Sequence, residues 1–198
     1  MNFTVDGWSF FVPTPQYIYD AHGLVAFRYN NHVIKITEVH HVSILSQKSF
    51  ESVINALDIR IAHPDMSQFQ PDMAAAIDFA ELERVVAKAV GEFGFMEFAR
   101  FNMGMVLRKE SGQDQPKIVR LLIGNPLVMK EMAKYVPEAA AYAPVTVLID
   151  ERSNGVHLSY DRMASFLARY NNPKALKVAQ SLDAKIESLM KEVADNAE

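Results

Sequence analysis

The segment from Lys117 to Tyr160 decides the fold. It begins with KIVRLLIGNP at residues 117–126 and ends with PVTVLIDERSNGVHLSY at residues 144–160. Both runs concentrate β-branched and leucine residues in short blocks, a pattern typical of strands with at least one buried face. The segment therefore predicts three strands, one helix and a hairpin.

A sharp corner is predicted where the first of these strands ends, at Gly124-Asn125-Pro126. The Asn125 side chain can accept a hydrogen bond from an unpaired N–H group in the first turn of a helix. Pro126 suits the first helical position because the N–H group that it lacks has no helical partner there. We therefore predict a helix that begins at Pro126 and ends before Pro137.

The other two strands are predicted to form a hairpin. Polar turn residues follow the strand over 145–149, and Asn154-Gly155 is a pair that favours a tight turn. Apolar and polar residues then alternate over 156–160, as they do in a half-buried strand. Titratable residues along this hairpin could supply an acid–base site: Asp150, Glu151, His157, Tyr160 and Asp161.

The corner at 124–126 and the strands over 144–149 and 155–160 resemble the DUF302 family, whose members have no known function. The resemblance extends over about residues 77–193. It implies an α+β fold, called TT1751-like, in which helices pack on one side of an antiparallel sheet, similar to half of the TATA-binding protein. The family often has Asp-His near the end of the first strand, whereas Asn102-Met103 occupy that place here. Any role of that histidine is therefore absent or moved.

An amino-terminal extension rich in strands is predicted over 1–61. Strands over 24–29 and 32–39 are expected to meet at Asn30-Asn31, since asparagine tolerates the positive φ angles of a tight turn. Ser46 is then expected to cap a short helix that has one apolar side.

Prolines and polar residues over 62–76 predict a linker, and the α+β domain is predicted over 77–198. The last helix of that domain should begin after Asn172. It carries an apolar stripe formed by Ala179, Leu182, Ile186, Leu189 and Val193. Such a stripe must be covered by this chain's sheet or by a second copy of the chain. A dimer with twofold symmetry is the commonest way to bury such a surface, and we predict a homodimer.

The first helix and strand of the predicted α+β domain have clear patterns. Asp78 and Glu81 have the spacing of a capping box. A long strand is predicted over 95–108, where apolar and polar residues alternate. Met103 and Met105 are expected to pack in the core, as methionine commonly does, and a soft-metal site is the alternative.

The composition excludes several classes of protein. The 198 residues include no cysteine, which removes disulfides, cysteine-ligated zinc, iron–sulfur clusters and thiol catalysis. The net charge of −4 and the lack of a basic run argue against binding to nucleic acids or anionic membranes. The sequence has neither a signal-peptide pattern nor an apolar run of membrane-spanning length, so we expect a cytoplasmic protein.

No familiar catalytic or cofactor-binding motif is present, and we predict no cofactor. Glu38, His40 and His41 are the densest group of potential metal ligands. A strand would point His41 away from the other two, so we predict no metal site. Polar residues on the predicted strands and at the corner are the candidate ligand-binding residues: Arg100, Asn102, Asn125, His157 and Tyr160.

The interpretation that combines these points is a homodimer that binds a small molecule or a partner. The alternative is a small-substrate enzyme that uses acid–base residues near the 150–161 hairpin. A third possibility is an accessory subunit without a pocket.

Overall fold

The computed structural model describes residues 2–5, 8–11, 16–20, 23–29, 32–114 and 116–195, and divides the chain into two units, Met1–Glu38 and Val39–Glu198. Strands predominate in the described part of the first unit. They are β1 (Asn2–Val5), β2 (Trp8–Phe11), β3 (Gln16–Asp20), β4 (Gly23–Tyr29) and β5 (His32–Lys35). β1 pairs with β2, and β4 pairs with both β3 and β5, always antiparallel. The predicted turn at Asn30-Asn31 lies outside the described residues.

The second unit is an α+β domain, as predicted. Its five-stranded antiparallel sheet has the order β6-β10-β9-β8-β7. These strands are β6 (His41–Ser46), β7 (Met96–Asn102), β8 (Ile118–Gly124), β9 (Val145–Arg152) and β10 (Gly155–Asp161). The α-helices are α1 (Phe50–Arg60), α2 (Met66–Ala75), α3 (Phe79–Ala89), α4 (Gly104–Ser111), α5 (Pro126–Ala133), α6 (Met163–Ala168) and α7 (Pro173–Ala194), and a 3₁₀ helix spans Pro137–Ala141. Among the described helices, none has the length and apolarity needed to cross a membrane.

One face of this sheet forms the main core. Along β9, Val145, Val147 and Ile149 are buried, whereas Thr146 and Leu148 between them are more exposed. Helix α7 packs into this core, and it contacts β6, α1, α5 and α6. The predicted stripe is entirely buried there: Ala179, Leu182, Ile186, Leu189 and Val193. The chain's own unit therefore covers the stripe, which leaves no apolar surface on it for a second copy.

The boundary between the units differs from the predicted one. β6 pairs with β10 and α1 packs against α7, so residues 39–61 belong to the second unit. The predicted linker over 62–76 contains α2 instead. Phe69 of that helix is buried in a small cluster with Val86. The packing of Phe69 stabilises the helix although Pro71 lies inside it, and proline was the signal that suggested a linker.

The predicted strand over 95–108 is half strand and half helix. β7 ends at Asn102, whose side chain accepts a hydrogen bond from the Met105 N–H group (3.1 Å) in the first turn of α4. Gly112 ends α4 with a φ of 69°. Met103 and Met105 are consequently 49% and 52% exposed, so the prediction that they pack in the core is wrong.

The predicted helix caps have mixed outcomes. Asp78 caps α3 by accepting a hydrogen bond from the Glu81 N–H group (2.7 Å), as predicted. Ser49, and not Ser46, caps α1. Ser46 is buried in β6, where its hydroxyl donates to the Ala194 carbonyl oxygen at the end of α7 (2.9 Å).

The predicted hairpin joins β9 to β10, but its turn lies one residue earlier than predicted. Arg152 and Gly155 pair across the ladder, which leaves Ser153-Asn154 as the turn. Gly155 has a φ of 132°, and a Cβ atom there would lie 2.6 Å from the Ser46 carbonyl oxygen of β6. Glycine is therefore required by the close approach of β6 as well as by the backbone conformation.

Candidate functional site

The structure does not bring the five predicted ligand-binding residues together. Arg100 lies at the edge of the sheet, where it forms ion pairs with Asp58 of α1 and with Glu97 (2.6 Å). The hydrogen bonds with Asp58 are the largest cause of a raised pKa for the Arg100 guanidinium. His63 Nδ1 lies 3.4 Å from Glu97 Oε2. Arg100 thus belongs to a charged network between α1 and β7.

That network contains a group of potential metal ligands that the sequence did not indicate. Ligand atoms of Asp58, His63 and Glu97 lie within 4.8 Å of one another. A backbone bridge between Ala62 and Met96 brings His63 next to Glu97, so no local spacing reveals the group. The Arg100 guanidinium contacts both carboxylates. A cation would have to displace this arginine. We therefore interpret the group as an ion-pair network and not as a metal site.

Asn102 and Asn125 have structural partners and line separate concavities. Asn102 Oδ1 accepts from Arg108 Nη2 (3.3 Å) and lines a cleft of about 240 Å³ beside α1, in which Lys117 pairs with Glu51. Asn125 Oδ1 accepts from the Leu127 N–H group (2.9 Å), and its Nδ2 donates to the Gly94 carbonyl oxygen (3.0 Å). Asn125 therefore caps α5 as predicted, and it also lines an apolar pocket of about 230 Å³.

Tyr160 is buried and donates a hydrogen bond to Asp183 Oδ1 of α7 (2.6 Å). The same carboxylate accepts from the Met163 and Ala164 N–H groups at 2.8 and 3.0 Å. Asp183, a residue of α7, therefore caps the first turn of α6. Burial raises the pKa of Asp183, and burial is also the largest cause of the raised pKa of Tyr160.

The titratable residues of the hairpin are likewise divided among different partners. Asp150 forms an ion pair with Arg152. His157 Nε2 lies 2.9 Å from Asn154 Oδ1, and its Nδ1 lies 3.3 Å from Ser43 Oγ. Asp161 Oδ1 lies 2.7 Å from His41 Nδ1. No acid–base pair forms among the five predicted hairpin residues themselves.

A cleft of about 410 Å³ lies on the sheet face opposite the core, which we call the cleft face. Register explains how distant residues meet there. Arg120 of β8 pairs with Leu148 of β9, which pairs with Ser159 of β10. Residues opposite one another in adjacent antiparallel strands share a face. The residues that line the cleft include His41, Arg120, Tyr142, Thr146, Leu148, Ser159, Tyr160, Asp161, Met163 and Phe166.

The charged residues of this cleft differ in whether they have an ion-pair partner. His41 and Asp161 lie opposite one another on β6 and β10 and form an ion pair whenever His41 is protonated. Arg120 donates to Thr146 Oγ1 (3.2 Å), and no carboxylate of the described residues forms an ion pair with it. An arginine side chain keeps its positive charge throughout the physiological pH range. When His41 is protonated, its charge and that of Asp161 cancel, and the positive charge of Arg120 is left without an ion-pair partner among the described residues.

Two aromatic side chains, which we call the aromatic wall, also line the cleft. The rings of Tyr142 and Phe166 are stacked, with centroids 4.8 Å apart and planes 9° from parallel. Arg169 donates to the Tyr142 hydroxyl and lies over the Tyr142 ring, 5.7 Å from its centroid. Burial is the largest cause of a raised pKa for Tyr142. The wall is thus held in place, and both of its residues line the cleft.

Sequence reasoning missed most of this cleft. Arg120 was visible as the only polar residue in the strand over 118–123, but nothing local showed what it faces. His41 was considered only as a metal ligand with Glu38 and His40. In the structure its side chain pairs with Asp161, a partner 120 residues away.

Comparison with known proteins agrees with this architecture. The family described as "Domain of unknown function DUF302" matches residues 72–193, which is more than half of the chain. The crystal structure of an uncharacterized conserved protein DUF302 from Bacillus stearothermophilus is similar, with a TM-score of 0.54 and 10% sequence identity, over 77% of this chain and 97% of that chain. At this identity the likeness concerns the fold alone. No curated protein sequence matches the chain significantly. The family match and the shared fold show that this chain belongs to the DUF302 family.

Proposed function

We propose that this protein binds a small anionic molecule with a planar, apolar portion in the cleft on the cleft face. The observation that carries the proposal is the Arg120 guanidinium, which lines the cleft and has no carboxylate partner among the described residues. A guanidinium group presents several donors in a plane and matches carboxylate and phosphate oxygens. The chemistry of Arg120 therefore favours an anion.

The size and lining of the cleft favour a small molecule with an apolar part. Its volume of about 410 Å³ lies in the range of roughly 300–1,000 Å³ that is typical of ligand sites. Leu148 and Met163 provide apolar lining, and the Tyr142–Phe166 stack offers a surface against which a planar group can pack. Thr146 and Ser159 add hydroxyl groups that can fix the orientation of the ligand.

The strand spacing sets the length of the ligand. Arg120 and His41 are separated by three strand steps, from β8 through β9 and β10 to β6. Three steps, together with the offset of two residues between His41 and Ser43, which is in line with Arg120, correspond to roughly 16 Å between backbones. Both side chains line the cleft, so a ligand about as long as one aromatic ring with one anionic group would bridge the space between them.

The test uses defined probes. Benzoate and phenyl phosphate combine a ring with the two kinds of anion, and benzamide is the neutral control. Titration by NMR or calorimetry should detect benzoate or phenyl phosphate binding, and Arg120→Gln should weaken it by on the order of tenfold or more, the effect of losing one charged hydrogen-bond partner. Arg84→Gln on α3, which removes an exposed arginine outside the cleft, is the matched control. Equal binding of benzamide, or unchanged anion binding by Arg120→Gln, would refute the proposal.

A second candidate, a small-substrate enzyme, is supported by one observation. In the same cleft, Asp161 Oδ1 lies 2.7 Å from His41 Nδ1. A carboxylate that accepts a hydrogen bond from Nδ1–H holds the proton on Nδ1 and leaves Nε2 free to act as a base, an arrangement used in acid–base and nucleophilic catalysis. Asp161 was among the hairpin residues predicted for such chemistry, and β6 supplies its histidine.

Aryl esters and aryl phosphates test this candidate because they combine a ring with a hydrolysable bond. Turnover by the wild type should be lost in His41→Asn and kept in His157→Asn, whose side chain does not line the cleft. A wild-type protein that binds the anionic probes but shows no turnover above the buffer rate would reject the enzyme and leave the binding proposal standing.

A further inference from the structure

The cleft makes no use of an exposed apolar patch at the other edge of the sheet. We define the α4 surface as Phe101, Met103, Met105, Val106 and Leu107, whose exposed fractions range from 42% to 67%. We propose that the α4 surface binds a second copy of this chain, and that the two copies form a dimer with twofold symmetry.

Helix α4 explains why these residues face outward. A Cβ atom at Gly104 would lie 2.5 Å from the Pro116 carbonyl oxygen, and Arg108 Nη1 donates to that same oxygen (3.2 Å). Residues 104 and 108 lie one helical turn apart, so they attach one side of α4 to the segment before β8. The neighbouring positions point away from this attachment. In a surface helix of a monomer they would be polar, whereas here they are apolar.

The size of the patch suits the centre of a dimer interface. Five large apolar side chains, each about half exposed, give on the order of 500 Å², at the upper end of what a monomer usually exposes. A specific interface buries about 800 Å² on each partner. The α4 surface therefore supplies more than half of that area. Polar neighbours such as Asn102 and Lys109 can provide the rim.

The adjoining strand favours a second copy over an unrelated partner. β7 is the end strand of the sheet, and Ala62 pairs with its first residues only, through Met96 and Glu97. From Ala99 onward, no other described segment pairs with its outer edge. A twofold axis beside β7 would place two such edges antiparallel, where they can pair with each other, and would bring the two α4 surfaces together. An uncharged apolar patch next to an unpaired edge is self-complementary.

Sedimentation of the full chain tests the proposal directly. At micromolar concentrations the wild type should sediment at about twice its monomer mass of 22.3 kDa. Val106→Lys should weaken dimerisation on the order of 100-fold or more, because an unpaired lysine would be buried in the interface. Val106 is 67% exposed in a single copy, so lysine is tolerated in the monomer. Ile77→Lys makes the same change at a residue that is 90% exposed outside the α4 surface, and it should leave the dimer unchanged.

Crosslinking provides a second readout because the chain has no cysteine. Val106→Cys treated with a bismaleimide should give a covalent dimer, and Ile77→Cys should not. A wild type that sediments only at 22.3 kDa would overturn the proposal. A dimer that Val106→Lys leaves intact would also overturn it, by placing the interface elsewhere.

Discussion

Tyr160 donates a hydrogen bond to Asp183 across 2.6 Å, and both side chains are buried. The tyrosine belongs to β10 and the aspartate to α7. Because the Asp183 carboxylate also accepts from the Met163 and Ala164 N–H groups, it holds the start of α6 as well. One carboxylate thus connects β10, α7 and α6, and Tyr160 and Met163 are both among the residues that line the cleft.

Removal of this carboxylate should be costly. Asp183→Ala leaves the Tyr160 hydroxyl and two backbone N–H groups without their acceptor, so we expect a loss of roughly 3 kcal/mol or more in the free energy of unfolding. Tyr160→Phe leaves both N–H groups bonded and should cost only about 1 kcal/mol. Denaturant titration of both variants measures the difference. If the two variants lose equal stability, Asp183 does not cap α6.

The free energy of unfolding should depend on pH partly through the titration of Asp183. Its pKa is raised by burial from an ordinary value of 3.8, so the folded chain holds this proton more tightly than the unfolded chain. Its contribution to stability is therefore present below pH 3.8 and is lost as pH rises through the folded pKa. The unfolding free energy of the wild type minus that of Asp183→Asn should fall as pH rises from 3.8 to the folded pKa, and it should then level off. A difference that grows with pH would mean that the hydrogen bonds outweigh burial and lower the pKa.

Predictions from the sequence succeeded where neighbouring residues decide the structure. The strand before Gly124, the cap at Asn125 and the β9–β10 hairpin all depend on contacts between residues close in the chain. The cap that Asp183 provides for α6 could not be predicted this way, because Asp183 lies on a different helix. The same holds for Arg100 and Asp58, which are 42 residues apart.

The prediction of one long strand over 95–108 was wrong for a different reason. Its alternation of apolar and polar residues fits a strand, and no alternating pattern shows where the strand stops. The decisive features are Gly104, which permits close approach to Pro116, and Gly112, which ends α4. Likewise, Arg120 was visible as a polar residue in an apolar strand, but the cleft around it follows from the register of four strands.

The corner that opens α5 provides a third prediction. Asn125→Ala removes the cap on the Leu127 N–H group and the donor to the Gly94 carbonyl oxygen, and it should cost about 1 kcal/mol or slightly more. Asn125→Asp keeps the acceptor but replaces the donor to the Gly94 carbonyl oxygen by a carboxylate oxygen, so it should recover only part of the loss. The midpoint of urea unfolding measures both. An unchanged midpoint for Asn125→Ala would show that the cap contributes nothing to stability.

The last prediction compares substitutions at two glycines with positive φ angles. One substitution introduces backbone strain alone, and the other also introduces a close contact. Gly112 has a φ of 69° and no atom within 4 Å of an added Cβ, so Gly112→Ala should cost about 1 kcal/mol from backbone strain alone. Gly155 has a φ of 132°, and its Cβ would meet the Ser46 carbonyl oxygen at 2.6 Å. Gly155→Ala should therefore cost about 3 kcal/mol, because the β6 backbone has to move away from β10 as well. Denaturant titration gives the two free energies, and amide exchange along β6 shows whether the β6–β10 pairing loosens in Gly155→Ala alone. Equal costs and unchanged exchange would mean that β6 accommodates a methyl group without losing its pairing.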